Sequence, residues 1–214
     1  MMKLIYLAQK KPGFSRDAFL ARWRRHGALG MAQPMWRHAI AYIQAEPTQP
    51  ALIQGLSEDY DAIATFCLGD NMFADLGADD AEGAQIMAAD ELETFATPIP
   101  EVSLWVTEEA VKPGDLGGFG AYLFYQDATA AAAAATVAAS DDRTTRVFLN
   151  QRNDNLLGNR ANTLAFAAVV EFATASLDDL RELLNAEREV FCAADVAVAT
   201  QEAVLWDRLA SWHH

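Results

Sequence analysis

The sequence predicts an α+β protein made of two βαββαβ units in tandem, and three observations carry that expectation. Strand-like and helix-like segments run in the order β α β β α β, and the order then repeats. A Pro- and Gly-rich stretch, Lys112-Pro113-Gly114-Asp115-Leu116-Gly117-Gly118, separates the two runs. Both runs end alike, in Val102-Ser103-Leu104-Trp105 and in Ala203-Val204-Leu205-Trp206. The first unit is placed at 1–112, the linker at 113–118 and a diverged second unit at 117–214.

Lys3 to Gln9 is rich in Leu, Ile and Tyr, as a buried strand would be, and Lys10-Lys11-Pro12-Gly13 stops it. Ser15 is a good helix N-cap, and Phe19, Trp23 and His26 then fall on one helical face. Gly27 and Gly30 are expected to end that helix. Arg37 to Ala45 and Tyr60 to Leu68 read as strands. Asn71 to Phe95 reads as one or two helices interrupted near Gly77–Gly83, and Val102 to Val106 as a strand. In the second run, Tyr122–Tyr125 is a strand and Ala128–Ala139 a helix by propensity alone. Arg146–Leu149 and Thr163–Phe172 are strands. Ser176 caps a helix with Leu177, Leu180, Leu183 and Leu184 on one face, and Val196–Trp206 closes the chain.

One βαββαβ unit is a ferredoxin-like sheet with both helices on one face, which leaves the other face apolar and uncovered. Two copies in one chain can bury those faces on each other as an intrachain dimeric α/β barrel, with fewer exposed edges. A small-molecule cavity is expected between the two sheets.

The formal charge is −14, shared equally: residues 1–112 hold 9 Lys+Arg against 16 Asp+Glu, and residues 113–214 hold 7 against 14. Neither half offers a basic face, so nucleic acid and anionic membrane surfaces are excluded as partners on electrostatic grounds. No stretch has the ~20 apolar residues of a membrane helix. Cys67 and Cys192 sit far apart in apolar surroundings and read as reduced thiols, so a cytoplasmic location is expected. Because each chain closes its own barrel, association is optional and a homodimer stays open.

The first unit resembles the EthD family of the dimeric α/β barrel superfamily. The matching residues are Lys3-Leu4-Ile5-Tyr6-Leu7, Lys11-Pro12-Gly13-Phe14-Ser15, and Phe19-Leu20-x-x-Trp23-x-x-His26-Gly27. Tyr60-Asp61-Ala62-Ile63-Ala64 and Ala89-Asp90-Glu91-x-x-x-Phe95 also match. Family members more often place the His four residues after the Trp, whereas here it falls three after; either spacing keeps it over the Trp side. The resemblance implies tailoring decarboxylases and dehydratases, and catabolic proteins. Related barrels include cofactor-free monooxygenases and haem enzymes.

His26 is the leading catalytic candidate, since an imidazole beside apolar groups exchanges protons near neutral pH. A helix-end His that binds a carbonyl and catalyses nothing is the plain alternative. Trp23, Trp36, His38 and Tyr42 are candidate substrate-binding residues beside it, and His38 and Tyr42 share one face whether helix or strand. Tyr6, Tyr60 and Asp61 are candidates to hold a carbonyl oxygen or orient an imidazole. Arg22, Arg24 and Arg25 form a basic cluster, read as a solvated face or an anchor for a carboxylate. No ligand spacing indicates a metal, and no phosphate or dinucleotide motif is present, so no cofactor is expected. The sequence thus points to a cofactor-independent lyase or isomerase acting on a small hydrophobic carbonyl compound, polyketide-like or aromatic. A haem- or oxygen-dependent enzyme and a non-catalytic small-molecule-binding protein are the alternatives.

Overall fold

The structure is a computed structural model that describes residues 1–69, 77–155 and 162–208. The elements in chain order are β1 (Met2–Ala8), α1 (Arg16–Met31), β2 (Ala39–Pro47), β3 (Ala62–Leu68), α2 (Ala78–Thr94), β4 (Ser103–Lys112), β5 (Gly118–Tyr125), α3 (Ala128–Ser140), β6 (Thr144–Arg152), β7 (Ala168–Thr174), α4 (Leu177–Ala186), α5 (Arg188–Phe191) and β8 (Val196–Asp207). A 3₁₀ turn at Pro34–His38 leads into β2, and another spans Ile99–Glu101 before β4.

All eight strands pair antiparallel into a closed barrel, β1-β3-β2-β8-β5-β7-β6-β4. Within it the first four strands lie in the order β4-β1-β3-β2 and the last four as β8-β5-β7-β6, the same order twice. The two sets join where β2 meets β8, from Ala41–Asp207 to Pro47–Thr200, and where β4 meets β6. Closure leaves no strand of the barrel with an open edge.

Alternation along each strand sorts the core into layers. Met2, Tyr6 and Ala8 of β1 pack outward against Phe19 and Trp23 of α1. Ile5 and Leu7 point inward, against Leu104 and Val106 of β4 and Tyr122, Phe124, Val169 and Val198 of the second half. The barrel interior is therefore filled by side chains from both halves, and the cavity lies elsewhere: the expectation of a hollow between the sheets is corrected. At one end of the interior Lys3 contacts Glu108 and Glu171, while Arg146 binds Glu171 at 3.0 Å and Glu202 at 2.6 Å.

The two outer layers differ. In the second half, α3 brings Ala131, Ala134, Ala135 and Ala138 flush against β6 and β7, and Leu180, Leu183, Leu184 and Phe191 complete the cluster. Ile53 and Leu56, from the connection between β2 and β3, also insert there. In the first half α1 is held off the sheet by Phe19 and Trp23 and then presents Gly27 and Gly30. The expectation that Gly27 and Gly30 end the helix is corrected: α1 runs on to Met31, and at both glycines neighbouring side chains approach closely. A methyl group on Gly27 would sit 2.8 Å from Gln44 Nε2 and 3.1 Å from the Tyr42 hydroxyl. The predicted break near Gly77–Gly83 is likewise absent: Gly77 is the N-cap of α2 and Gly83 lies inside it. Residues 71–76, also expected to be helical, lie outside the described residues.

Candidate active site

The cavity lies between the α1/α2 layer and the outer face of the first-half sheet, with a volume of about 540 Å³. Its floor is Leu4 and Tyr6 of β1, Tyr42 of β2, Phe66 and Leu68 of β3, and Ser103 and Trp105 of β4. Its roof is His26, Gly27 and Gly30 of α1 with Met87, Ala88 and Glu91 of α2, and Met35, Trp36 and Ile99 close the sides. Aromatic edges dominate: Tyr42 stacks on Phe66 at 4.2 Å, and Trp36 meets both rings edge-on.

His26 enters from the buried face of α1, one turn beyond Trp23, and only 4% of it is exposed. Its Nδ1 lies 2.7 Å from Asp90 Oδ2 on α2, and its ring stands edge-on to Phe95. Asp90 is itself held by the Arg22 guanidinium and by the Thr94 hydroxyl. Burial works against ionised Asp90, but the hydrogen bonds from Arg22 and then His26 outweigh it and hold the carboxyl below its usual range. An ionised Asp90 fixes the proton on Nδ1, so Nε2 carries the free lone pair. Burial lowers the His26 pKa, against the opposing pull of Asp90, and the ring is neutral at pH 7.

A second polar chain runs under the floor. Trp23 Nε1 donates to the Tyr6 hydroxyl at 2.6 Å, and Gln44 Nε2 donates to the Tyr42 hydroxyl at 2.6 Å and to the Trp23 carbonyl at 3.1 Å. The Tyr6 and Tyr42 hydroxyls thus each accept one N–H, from Trp23 and from Gln44. Burial nevertheless dominates, raising the Tyr6 pKa well above normal and that of Tyr42 to about 12, so both phenols stay protonated. The Tyr42 hydroxyl keeps its own proton to donate, and Tyr42 lines the cavity.

The structure brings His26, Tyr6, Trp36 and Tyr42 together around one cavity. Trp23 lies beneath it, as a support for Tyr6, rather than in its wall. His38 ends the 3₁₀ turn outside the lining, because the turn before β2 aims Trp36 inward instead. Tyr60 and Asp61 sit at the opposite end of the strands. Tyr60 packs on the barrel-interior cluster, and Asp61 is occupied by the backbone and ammonium of Lys10 at 2.9 and 2.8 Å. These four are therefore corrected as lining residues. Arg22 and Arg24 are also committed, to Asp90 and to Gln44 and Glu46, so they anchor no substrate carboxylate. Trp105 is also part of the wall. Asp90, Glu91 and Gln44 were not foreseen as site residues: Asp90 comes from 64 residues beyond His26, a distance no local spacing encodes.

No protein-family model matches the chain, and no curated protein matches it. Among solved structures, one described as a provisional chlorite dismutase aligns over 94% of this chain and 94% of that chain, with 10% identity and a TM-score of 0.52. A chlorite dismutase variant from Candidatus Nitrospira defluvii aligns over 94% of this chain and 91% of that chain, with 11% identity and a TM-score of 0.52. Such likeness establishes fold alone, and the chain has a dimeric α/β barrel-type fold. A haem would need an axial ligand and cations for its two propionates. His26 Nε2 is an imidazole nitrogen at the cavity, but among the described residues no Lys or Arg lines it and a carboxylate, Glu91, does. The described residues that line the cavity do not fit a haem. Among the described residues no group of three or more His, Cys, Asp and Glu is assembled for a metal, and no helix is long and apolar enough to cross a membrane.

Proposed function

We propose that this protein is a proton-transfer enzyme, an isomerase or lyase working without a cofactor on an uncharged, hydrophobic carbonyl compound. The observation that carries this is the His26–Asp90 pair at 2.7 Å, which leaves a neutral imidazole lone pair at a cavity walled by aromatic groups. His26 Nε2 removes a proton from the carbon beside the carbonyl, and the oxygen on which charge develops accepts the Tyr42 O–H. Gln44, itself anchored on the Trp23 carbonyl, holds the Tyr42 hydroxyl in place. Asp90 fixes the tautomer and stabilises the imidazolium that forms, as the carboxylate of a catalytic triad does. The repeated strand order supports two ferredoxin-like units, 1–112 and 117–214, with the site in the first, and the EthD-like residues of that unit agree with this placement.

The test is exchange of the C1 protons of 2-tetralone in D₂O, followed by proton NMR. The wild-type protein is expected to accelerate exchange. His26→Ala, folded by circular dichroism, is expected to lose ~10²–10⁴-fold of that acceleration. A folded His26→Ala protein with undiminished exchange would remove the proposal.

A further inference from the structure

Glu91 follows Asp90 on α2, about 100° further round the helix. While Asp90 reaches across to α1, Glu91 lines the cavity together with His26. Its Oε2 accepts the Ile99 backbone N–H at 3.1 Å, which fixes the carboxyl, and its Oε1 accepts nothing from the described residues. The groups that act on it are Asp90 on its own helix, Tyr6 on β1 and the Ile99 N–H; His26 faces the same space from α1. No Lys or Arg among the described residues lines the cavity, and the nearby guanidinium groups are committed: Arg22 to Asp90, Arg24 to Glu46 and Arg37 to Asp80. A substrate carboxylate would find no cation among the described lining residues, which disfavours decarboxylation and selects neutral compounds.

We propose that Glu91 is a second catalytic residue, the acid that returns a proton to carbon, and that the substrates are β,γ-unsaturated ketones converted to their conjugated isomers. The proposal rests on His26 acting as the base. His26 Nε2 takes the α-proton and the C–H electron pair becomes a dienolate, its oxygen hydrogen-bonded by Tyr42. The Glu91 carboxylic acid then gives its proton to the γ-carbon: a C–H bond forms there, the double bond moves into conjugation and Glu91 is left as carboxylate. The imidazolium loses its proton and the carboxylate regains one through solvent at the cavity mouth. Burial raises the Glu91 pKa, with Asp90 adding to the shift and the Ile99 N–H opposing it, so the acid form extends to higher pH than in an ordinary carboxyl. Burial also lowers the His26 pKa, so each shift favours the form in which its group would work, neutral base and protonated acid.

The probe is 3-cyclohexen-1-one in D₂O, with α-deuteration read by NMR and the conjugated ketone by ultraviolet absorbance. Glu91→Gln is expected to lose ~10²–10⁴-fold in conjugation, far more than it loses in α-deuteration, and to lose the alkaline limb of the conjugation pH–rate profile, with Glu91→Asp restoring part of both. Conjugation at the wild-type rate in Glu91→Gln overturns the assignment, as does an equal loss of both readouts. Wild-type protein that exchanges α-protons but never conjugates the probe also overturns it, while leaving the His26 base intact. Loss of the base itself would show separately, as His26→Ala exchange equal to wild type.

Discussion

The chemistry of the cavity is set by individual contacts, and the one that governs the base is a single carboxylate. Asp90 raises the basicity of His26 and holds its ring, while burial alone would push the imidazole further down. Asp90→Asn removes the charge but keeps the size. The imidazolium loses its counter-ion, so exchange of 2-tetralone protons is expected to fall roughly 10–100-fold, the usual effect of disturbing an orienting partner. The sign of the pH effect follows: a weaker base deprotonates at lower pH, so the acid limb moves to more acidic pH while the plateau drops. A pH–rate profile on both proteins checks this. An acid limb that stays in place would mean Asp90 does not act on the titrating group. The position of His26 on a buried helical face was legible from Phe19-x-x-x-Trp23-x-x-His26, because helical periodicity is local. Its partner was not, because Asp90 meets it only through the packing of α2 on α1. Tyr60 and Asp61 were misplaced for the matching reason: strand sequence gives the face of a residue but not which end of the barrel it occupies.

At the level of elements, the two halves share strand order yet differ in what their helices do. α1 carries Phe19 and Trp23 as props and glycines beyond them, and a cavity results; α3 carries alanines and closes on its sheet. The sequence showed the alanine run, and from composition it read as a helix. It did not reveal that the small side chains bring that helix into contact with β6 and β7, since intimacy of packing depends on both surfaces. The expectation of a hollow between the sheets failed in a related way: Ile5, Leu7, Tyr122 and Phe124 are large enough to fill the barrel from both sides. Ala134 tests the contrast. It is fully buried, and Ala134→Leu must force three more carbons into a packed layer, an overpacking cost of about 1–3 kcal/mol. Thermal denaturation is expected to show a lower midpoint. Exchange activity well below that midpoint should be unchanged, because the altered layer belongs to the half without the cavity. A loss of activity in the folded variant would show that the halves are coupled.

Across the whole molecule, the halves are joined by a buried ionic cluster at one end of the barrel. Glu171 of the second half is fully buried between Lys3 of the first half and Arg146. Burial disfavours its charge, but Lys3 and then Arg146 overcome this and lower its pKa below the ordinary 4.5. Glu202 is different: burial raises its pKa, Arg146 opposes, and the charge of Glu171 adds to the rise. The signs therefore diverge. The contribution of Glu171 is fully present above pH 4.5 and is lost as pH falls through its depressed folded value. Glu202 favours the fold only in its protonated form, so its contribution is present below pH 4.5 and is lost as pH rises through its raised folded value. Glu171→Gln leaves Lys3 and Arg146 with reduced pairing in a dry interior and is expected to cost about 3–5 kcal/mol at neutral pH. Glu202→Gln removes a charge that the cluster holds unwillingly, since Lys3 and Arg146 then face Glu108 and Glu171 alone, and is expected to change stability far less. Urea denaturation of the three proteins at pH 7.5, repeated between pH 3 and 5, distinguishes the two. The Glu171 variant should also lose much of the wild-type fall in stability at acid pH. Equal destabilisation by both substitutions would mean that the two carboxylates share one role, and that the link between halves does not run through Glu171.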